Sequence, residues 1–405
     1  MRFEENFATR VSRQKASEIR ELLKLLDQPG ILSFAGGIPD PALFPTQAFG
    51  QAFTDALEGN AQALQYSVSE GYLPLREWIV SEMARNGVTC SVDNIMITSG
   101  SQQALDYLGK LFLSPGDTAL VGWPTYLGAL AAFNAYEPAF DQLSINGNRA
   151  AEDYQSKAAA TGGQVKFAYL SADFANPTGE TVDRQGREGV LQLADALDCA
   201  VIEDAAYQSL RYDGAPVPPI LALEQAQKGS IEACRTIYCG SFSKTLSPGL
   251  RVGWVVAATP VIKQLVLMKQ AADLHSATIN QMAIHRVAEG GFDAHVAGVR
   301  DVYRRRRDAM LQALDRFMPK GVQWTKPEGG MFVWVTLPAE LDGADLLARS
   351  LQTEKVAFVP GRAFFADGSG GNSIRLSFSC ADETMIAEGM ARLGRLITAA
   401  KVGQA

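Results

Sequence analysis

Histidine is scarce in this chain: His275, His285 and His295 are the only ones, and none pairs with another histidine or a cysteine at metal-ligand spacing. A zinc centre is therefore not expected. The five cysteines, at 90, 199, 234, 239 and 380, are odd in number, scattered, and contain no C-x-x-C. Such a set fits reduced thiols in a cytoplasm better than a disulfide framework, and Cys199, inside an apolar run, reads as core packing. An excess of basic residues is also missing. With 37 Lys and Arg against 44 Asp and Glu the net charge is -7, which argues against a nucleic-acid partner because phosphate-backbone affinity needs a clustered basic surface. The single basic run, Arg304-Arg305-Arg306-Arg307, reads as the solvated face of a helix with some ion pairing. No stretch reaches the roughly 18 apolar residues of a membrane span. Residues 1–13 carry charges of both signs without the apolar core of a signal peptide, so the expected location is the cytoplasm. Internal repeats, low-complexity tracts and flexible linkers are absent as well.

What is present is a chain of 405 residues, longer than a single hydrophobic core usually grows, so a large domain with a smaller one is expected. Short β-branched apolar runs at 95–98, 119–122, 166–170, 200–203, 236–239 and 252–257 alternate with helical patterns near 101–113, 124–134 and 183–197. This alternation predicts an α/β fold: a mostly parallel central sheet flanked by helices, which places its ligand outside the carboxyl ends of the strands. Beyond residue 260 the pattern is mainly helical to Phe317. Strands at 331–337, 357–359 and 373–379 with helices near 343–353 and 382–399 then suit a smaller α+β domain. The expected division is an N-terminal arm over 1–45 that is part of the small domain, a large domain over 46–290 and a small C-terminal domain over 291–405.

The most informative stretch is Ser241-Phe242-Ser243-Lys244-Thr245-Leu246-Ser247-Pro248-Gly249-Leu250-Arg251, a Gly/Ser/Pro loop between two apolar strands. A lone lysine is nearly always a solvated charge. Here hydroxyls precede it and an arginine follows seven residues on, so hydroxyls and guanidinium can share the oxygens of a phosphate while the amine condenses with an aldehyde on the same ligand. That combination describes pyridoxal phosphate, whose ring nitrogen needs a carboxylate to stay protonated and whose ring oxygen needs donors. Asp204, ending the run Ala200-Val201-Ile202-Glu203-Asp204, supplies the carboxylate; alone it would read as a helix cap. Tyr207 and Asn176, the latter in Asn176-Pro177-Thr178-Gly179, can reach the ring oxygen, although that tetrapeptide is also an ordinary turn. Gly100, Ser101 and Gln102 follow a strand and open a helix, where free N–H groups and the helix dipole favour an anion. The spacing there is neither G-x-G-x-x-G nor G-x-x-x-x-G-K-[ST]. Trp123-Pro124-Thr125-Tyr126 offers an aromatic plane for stacking. Arg375, in the apolar run Ser373-Ile374-Arg375-Leu376-Ser377, needs an anionic partner, either a substrate carboxylate or a structural salt bridge.

Taken together these motifs make the chain similar, over essentially its whole length, to the fold-type I pyridoxal-phosphate aminotransferases of the aspartate aminotransferase superfamily. The resemblance implies that Lys244 is the Schiff-base lysine, Asp204 the pyridinium partner, and Asn176 with Tyr207 the pair on the ring oxygen. It implies that Ser241, Ser243, Arg251, Gly100, Ser101 and Gln102 form the phosphate cup, that Tyr126 stacks on the ring and contacts substrate, and that Arg375, with Asn176, holds the substrate α-carboxylate. Tyr66, in Gln65-Tyr66-Ser67, resembles a tyrosine that reaches the phosphate of a neighbouring subunit, which implies a homodimer with shared active sites. Ser17-Glu18-Ile19-Arg20, Ser33-Phe34-Ala35-Gly36-Gly37-Ile38-Pro39, Leu43-Phe44-Pro45 and Glu328-Gly329-Gly330-Met331-Phe332 resemble the 2-aminoadipate and kynurenine branch. In that branch Gly37 and Arg20 would meet substrate, with a surface charge on a short helix as the alternative for Arg20.

The expected reaction moves an amino group from an L-amino acid (2-aminoadipate, aromatic or branched-chain type) to a 2-oxo acid, with 2-oxoglutarate as the acceptor by resemblance. Two other readings stay open on this sequence. Another pyridoxal-phosphate reaction, elimination or decarboxylation, would use the same scaffold. A non-catalytic regulator would need an extra amino-terminal DNA-binding domain, which a chain whose aminotransferase-like arm begins near Met1 is not expected to carry.

Overall fold

In the computed structural model residues 3–14, 30–145 and 147–402 are described. Along the chain the strands are β1 (Leu32–Ser33), β2 (Ile95–Thr98), β3 (Thr118–Val121), β4 (Ala139–Gln142), β5 (Val165–Leu170), β6 (Ala200–Asp204) and β7 (Thr236–Ser241). They continue with β8 (Gly253–Val256), β9 (Gln323–Trp324), β10 (Phe332–Thr336), β11 (Val356–Ala357), β12 (Val359–Pro360) and β13 (Ser373–Ser377). Among these, a central sheet has the order β2-β8-β7-β6-β5-β3-β4. It is parallel except at β8, which runs against both its neighbours. The sheet is covered on both faces, so β2, β3 and β8 are buried along their whole length and read as unbroken apolar or small-residue runs. The expected strands are all there, shifted by a residue or two at their ends. β4 is an addition: it lies at the sheet edge, half exposed, and its Asp141 and Gln142 hide the apolar signal.

The second sheet, β12-β13-β10-β9, is antiparallel. It packs with the helices Gly343–Thr353 and Glu383–Val402 in one core that includes Met331, Val333, Leu376, Met390 and Leu393. The strand expected at 357–359 is two strands. β11 pairs in parallel with β1, whereas β12 pairs with β13, and the fully buried Phe358 lies between them. Pairing with β11 stitches the amino-terminal arm to this smaller body. Arg306 pairs with Asp40 at 2.8 Å, and Ser379 Oγ donates to the Ile38 carbonyl at 2.7 Å, so the arm is held along its length.

The helix Thr278–Phe317 is broken at Gly291, whose φ and ψ are non-helical, and its second half packs into the smaller core through Val299, Tyr303, Met310 and Leu314. It carries the four-arginine run, and here the expectation of a solvated face needs correction. Arg304 and Arg305 are exposed and pair with Asp301 and Glu383, but Arg307 is only 6% exposed. It donates to the Pro327 carbonyl at 2.8 Å and pairs with Asp213. At 3.6 residues per turn four consecutive residues cannot share one face, so part of the run must turn inward.

Candidate active site

The carboxyl ends of β5, β6 and β7 meet in a crevice closed from the other side by the 34–38 segment and by β13, as the open α/β architecture predicts. All the residues expected from the sequence, except Gly100, Tyr66 and Arg20, line one cavity of about 320 Å³. Gly100 forms the turn at its wall, Tyr66 lies outside it, and Arg20 falls outside the described residues.

Lys244 closes a single 3-10 turn, Phe242–Lys244, that starts where β7 ends. Ser241 Oγ accepts the Ser243 N–H at 3.1 Å, which tightens the turn and aims the lysine inward. Its Nζ donates to the Gly37 carbonyl at 3.0 Å and sits 5.8 Å from the centre of the Tyr207 ring. Burial, then the nearby Arg375 and Arg251 guanidiniums, push its pKa down to about 8, while Asp204 pulls the other way. The neutral amine is the form that attacks a carbonyl, and lowering the pKa makes it available near neutrality. The rate at which Lys244 of the apoprotein captures an aldehyde should therefore rise as pH passes about 8 and level off above it. A profile still climbing toward the ordinary lysine value of 10.5 would contradict this burial.

Asp204 is the last residue of β6, and its two carboxylate oxygens differ. Oδ2 accepts the Tyr169 hydroxyl at 2.8 Å; Oδ1 is buried and has no partner. Burial raises the carboxyl pKa, and the Tyr169 bond, the Ala206 N–H and Lys244 pull it back down. An unpartnered buried carboxylate oxygen is costly unless a donor is brought to it. Sequence reasoning missed Tyr169. The signal was a hydroxyl inside the apolar run Phe167-Ala168-Tyr169-Leu170, because a buried tyrosine usually finds a hydrogen-bond partner.

The turn at Gly100 follows β2. Gly100 has φ of +82°, in the left-handed region, and a Cβ there would collide with the Arg251 guanidinium. Arg251 donates to the Ser99 carbonyl at 3.3 Å, to Ser243 Oγ at 3.4 Å and to the Pro248 carbonyl at 3.0 Å. Ser101 opens the helix Ser101–Phe112 and lines the cavity together with Gln102, so a helix N-terminus lies at this wall. Gln102 donates to the Gly128 carbonyl at 2.7 Å and accepts from the Tyr126 hydroxyl at 3.3 Å, which holds that ring over the cavity. Burial, first, raises the Tyr126 pKa to about 12, so the phenol stays protonated.

At the opposite wall Arg375, central in β13, is 1% exposed. It donates to Asn176 Oδ1 at 2.7 Å and to the Ala35 carbonyl at 2.8 Å, and its guanidinium lies 4.3 Å from the Phe332 ring centre. Its Nε has no partner, and among the described residues it forms no ion pair. Burial pulls its pKa down to about 10, so a buried cation here lacks the anion that would offset its desolvation. A Cβ on Gly37 would lie 3.5 Å from Arg375 Nη2 and 3.2 Å from Phe332, so a side chain there would crowd the space beside the guanidinium. Three cations, Lys244, Arg251 and Arg375, thus face one carboxylate, Asp204, and the cavity suits a ligand with an anionic group at each end.

The sequence model describing the aminotransferases of class I and II matches residues 32–393. The chain belongs to the class I and II aminotransferases. The aromatic-amino-acid aminotransferase 1 of Thermococcus litoralis is 43% identical over 405 residues, covering 98% of this chain and 94% of that protein. A crystal structure of the alpha-aminoadipate aminotransferase of Thermus thermophilus, complexed with N-(5'-phosphopyridoxyl)-L-leucine, is 41% identical with a TM-score of 0.88 and covers 99% of this chain and all of that one. The kynurenine aminotransferase of Pyrococcus horikoshii is 43% identical, with a TM-score of 0.90 over 98% of both chains. This aminotransferase therefore falls in the aminoadipate and kynurenine branch and is a pyridoxal-phosphate enzyme. Its residues fit the cofactor: a buried amine, a carboxylate oxygen lacking a donor, and a glycine turn backed by an arginine occur together in one cavity.

Proposed function

We propose that this aminotransferase takes the amino group of an L-amino acid of the 2-aminoadipate, aromatic or branched-chain type and passes it to a 2-oxo acid, 2-oxoglutarate in the first instance. The observation that carries this reading is the common cavity of Lys244 Nζ, the free Asp204 Oδ1 and the anion-less Arg375. The names of the relatives, aromatic, aminoadipate and kynurenine aminotransferases, support the donor range, as does the leucine adduct bound to one of them.

In this reading Lys244, Asp204, Asn176, Tyr207, Tyr126, Ser241, Ser243, Arg251 and the Gly100-Ser101-Gln102 turn hold the cofactor, which when bound supplies an electron sink for bonds at the substrate Cα. Asp204 Oδ1 keeps a proton on the ring nitrogen. Tyr207 and Asn176, which line the same cavity, bind the ring oxygen. Arg375 takes the substrate α-carboxylate in a bidentate pair, with Asn176 beside it and Gly37 leaving space. Lys244 would be the group that moves the proton at the substrate Cα, and its lowered pKa suits a base working near neutrality. Arg20 remains a candidate for the substrate side chain.

Tyr66 is 78% exposed, and Leu64, Val68, Leu73 and Leu274 are large apolar residues that are exposed as well. We take this as the face of a homodimer in which Tyr66 reaches the phosphate of the second copy. We also place the division between the two domains at the helix break at Gly291.

A screen of amino donors against 2-oxo acids on the cofactor-loaded protein tests the proposal. Conversion of aminoadipate, aromatic or leucine-type donors that depends on an added 2-oxo acid is expected, and conversion without an acceptor would point to elimination or decarboxylation. Arg375→Ala should lower kcat/KM for the amino acid roughly 10- to 150-fold, the equivalent of about 1.5–3 kcal/mol for charge-assisted hydrogen bonds, while the cofactor stays bound. Loss of the cofactor in that variant would mean that Arg375 has been given the wrong role.

A further inference from the structure

Beneath the Gly100 turn lies a charged group that the reaction does not use. Lys269, near the end of the helix Thr259–Ala272, has no exposed surface. Its Nζ donates to Gln103 Oε1 at 2.8 Å and to both oxygens of Asp273, at 3.0 and 3.1 Å. Gln103 Oε1 also accepts the Ser99 N–H at 2.8 Å, and Gln103 Nε2 donates to Asp273 Oδ2 at 2.8 Å. Ser99 Oγ adds a contact of 3.3 Å to the same carboxylate, and Tyr107 a longer one of 3.4 Å. Gln103 is thus fixed at both ends of its amide, its oxygen held by an ammonium and a backbone donor, its nitrogen by a carboxylate.

This network ends on the peptide that enters the anion turn. The Ser99 N–H is held by Gln103 and the Ser99 carbonyl by Arg251, so the two peptide units that flank Ser99 are each tied down just before Gly100. Ser99 directly precedes the N-cap Gly100, so the backbone held there is the one that enters the helix Ser101–Phe112. A buried lysine would be expected to lose its charge, and burial does lower its pKa, but the Asp273 carboxylate counters this. An ion pair below a turn, tied to it through Gln103 and Ser99, is an arrangement that fixes a ligand-binding shell from behind.

We propose that Lys269 and Asp273, acting through Gln103, are positioning residues for the cofactor's phosphate and set how strongly a phosphorylated cofactor is preferred over its unphosphorylated form. This rests on the reading that the Gly100 turn holds the phosphate. The test compares binding of pyridoxal phosphate and of pyridoxal to the apoprotein of wild type, Lys269→Met and Asp273→Asn. The expected result is that the preference for the phosphorylated form falls about tenfold in both variants, the size of one lost charge-assisted bond, while pyridoxal binding changes less than about twofold. A merely structural brace would lower the melting temperature and weaken both ligands equally, leaving the preference at its wild-type value, and that outcome overturns the proposal. Should Lys269→Met fail to fold, Asp273→Asn and Gln103→Leu, whose side chains are only partly buried, decide it on the same ratio. Arg251→Gln separates the two readings. If it too keeps the wild-type preference, the phosphate cup itself is misplaced. If it loses the preference while the Lys269 and Asp273 variants keep it, only the present proposal fails.

Discussion

Replacing Lys244 by alanine should abolish amino-group transfer, with kcat lower by at least about 10³-fold, because one side chain is asked to anchor the cofactor covalently and to move the proton at Cα. Few other groups in the cavity can take over. Tyr126 and Tyr207 are held protonated by burial, and Asp204 is bonded to Tyr169. The variant should still bind pyridoxal phosphate through the remaining contacts, but without the long-wavelength absorbance of the lysine-bound form. Absorbance spectra with and without borohydride treatment, together with single-turnover transfer assays, check both halves. Turnover within tenfold of wild type would remove Lys244 from the reaction and with it the account of the cavity.

Asp204→Asn is the second large effect, expected at about 10²–10³-fold in kcat, the scale of losing one preorganised electrostatic stabiliser. Asparagine keeps the shape, and its Oδ1 can still accept the Tyr169 hydroxyl, so the fold and the cavity should survive. What it lacks is the charge that keeps the ring nitrogen protonated when electrons are pushed into the ring. Cofactor content should stay near that of the wild type while kcat falls and KM changes little, the pattern of an interaction that matters most in the transition state. Equal activity in Asp204→Asn and wild type would mean that the free Oδ1 faces something other than the ring.

Its neighbour has a different part. Glu203 and Asp204 are adjacent acids at one strand end, both buried. Successive residues in a strand point to opposite faces, so the two cannot share one environment. Asp204 faces the cavity, whereas Glu203 accepts the Ile220 and Leu221 N–H groups at 2.8 and 3.1 Å and caps the helix Ile220–Lys228. Burial, its largest influence, raises the pKa of Glu203 to about 7.

By itself the sequence determined the α/β class, the order of the main strands, and the lysine, carboxylate and arginine of the cavity. These rest on local signals: periodicity, loop residues and residue types that are costly to bury without purpose. Tertiary structure alone decided which distant segments complete them. Tyr169 reaches Asp204 from the neighbouring strand, and Ala35 and Gly37 from the amino-terminal segment meet Arg375 on β13 and Lys244 in the turn after β7. Lys269 braces Ser99 from 170 positions further along the chain. A hydrogen bond between residues so far apart in sequence leaves no period or motif behind, because its partners are chosen by how the layers pack and not by their neighbours in the chain.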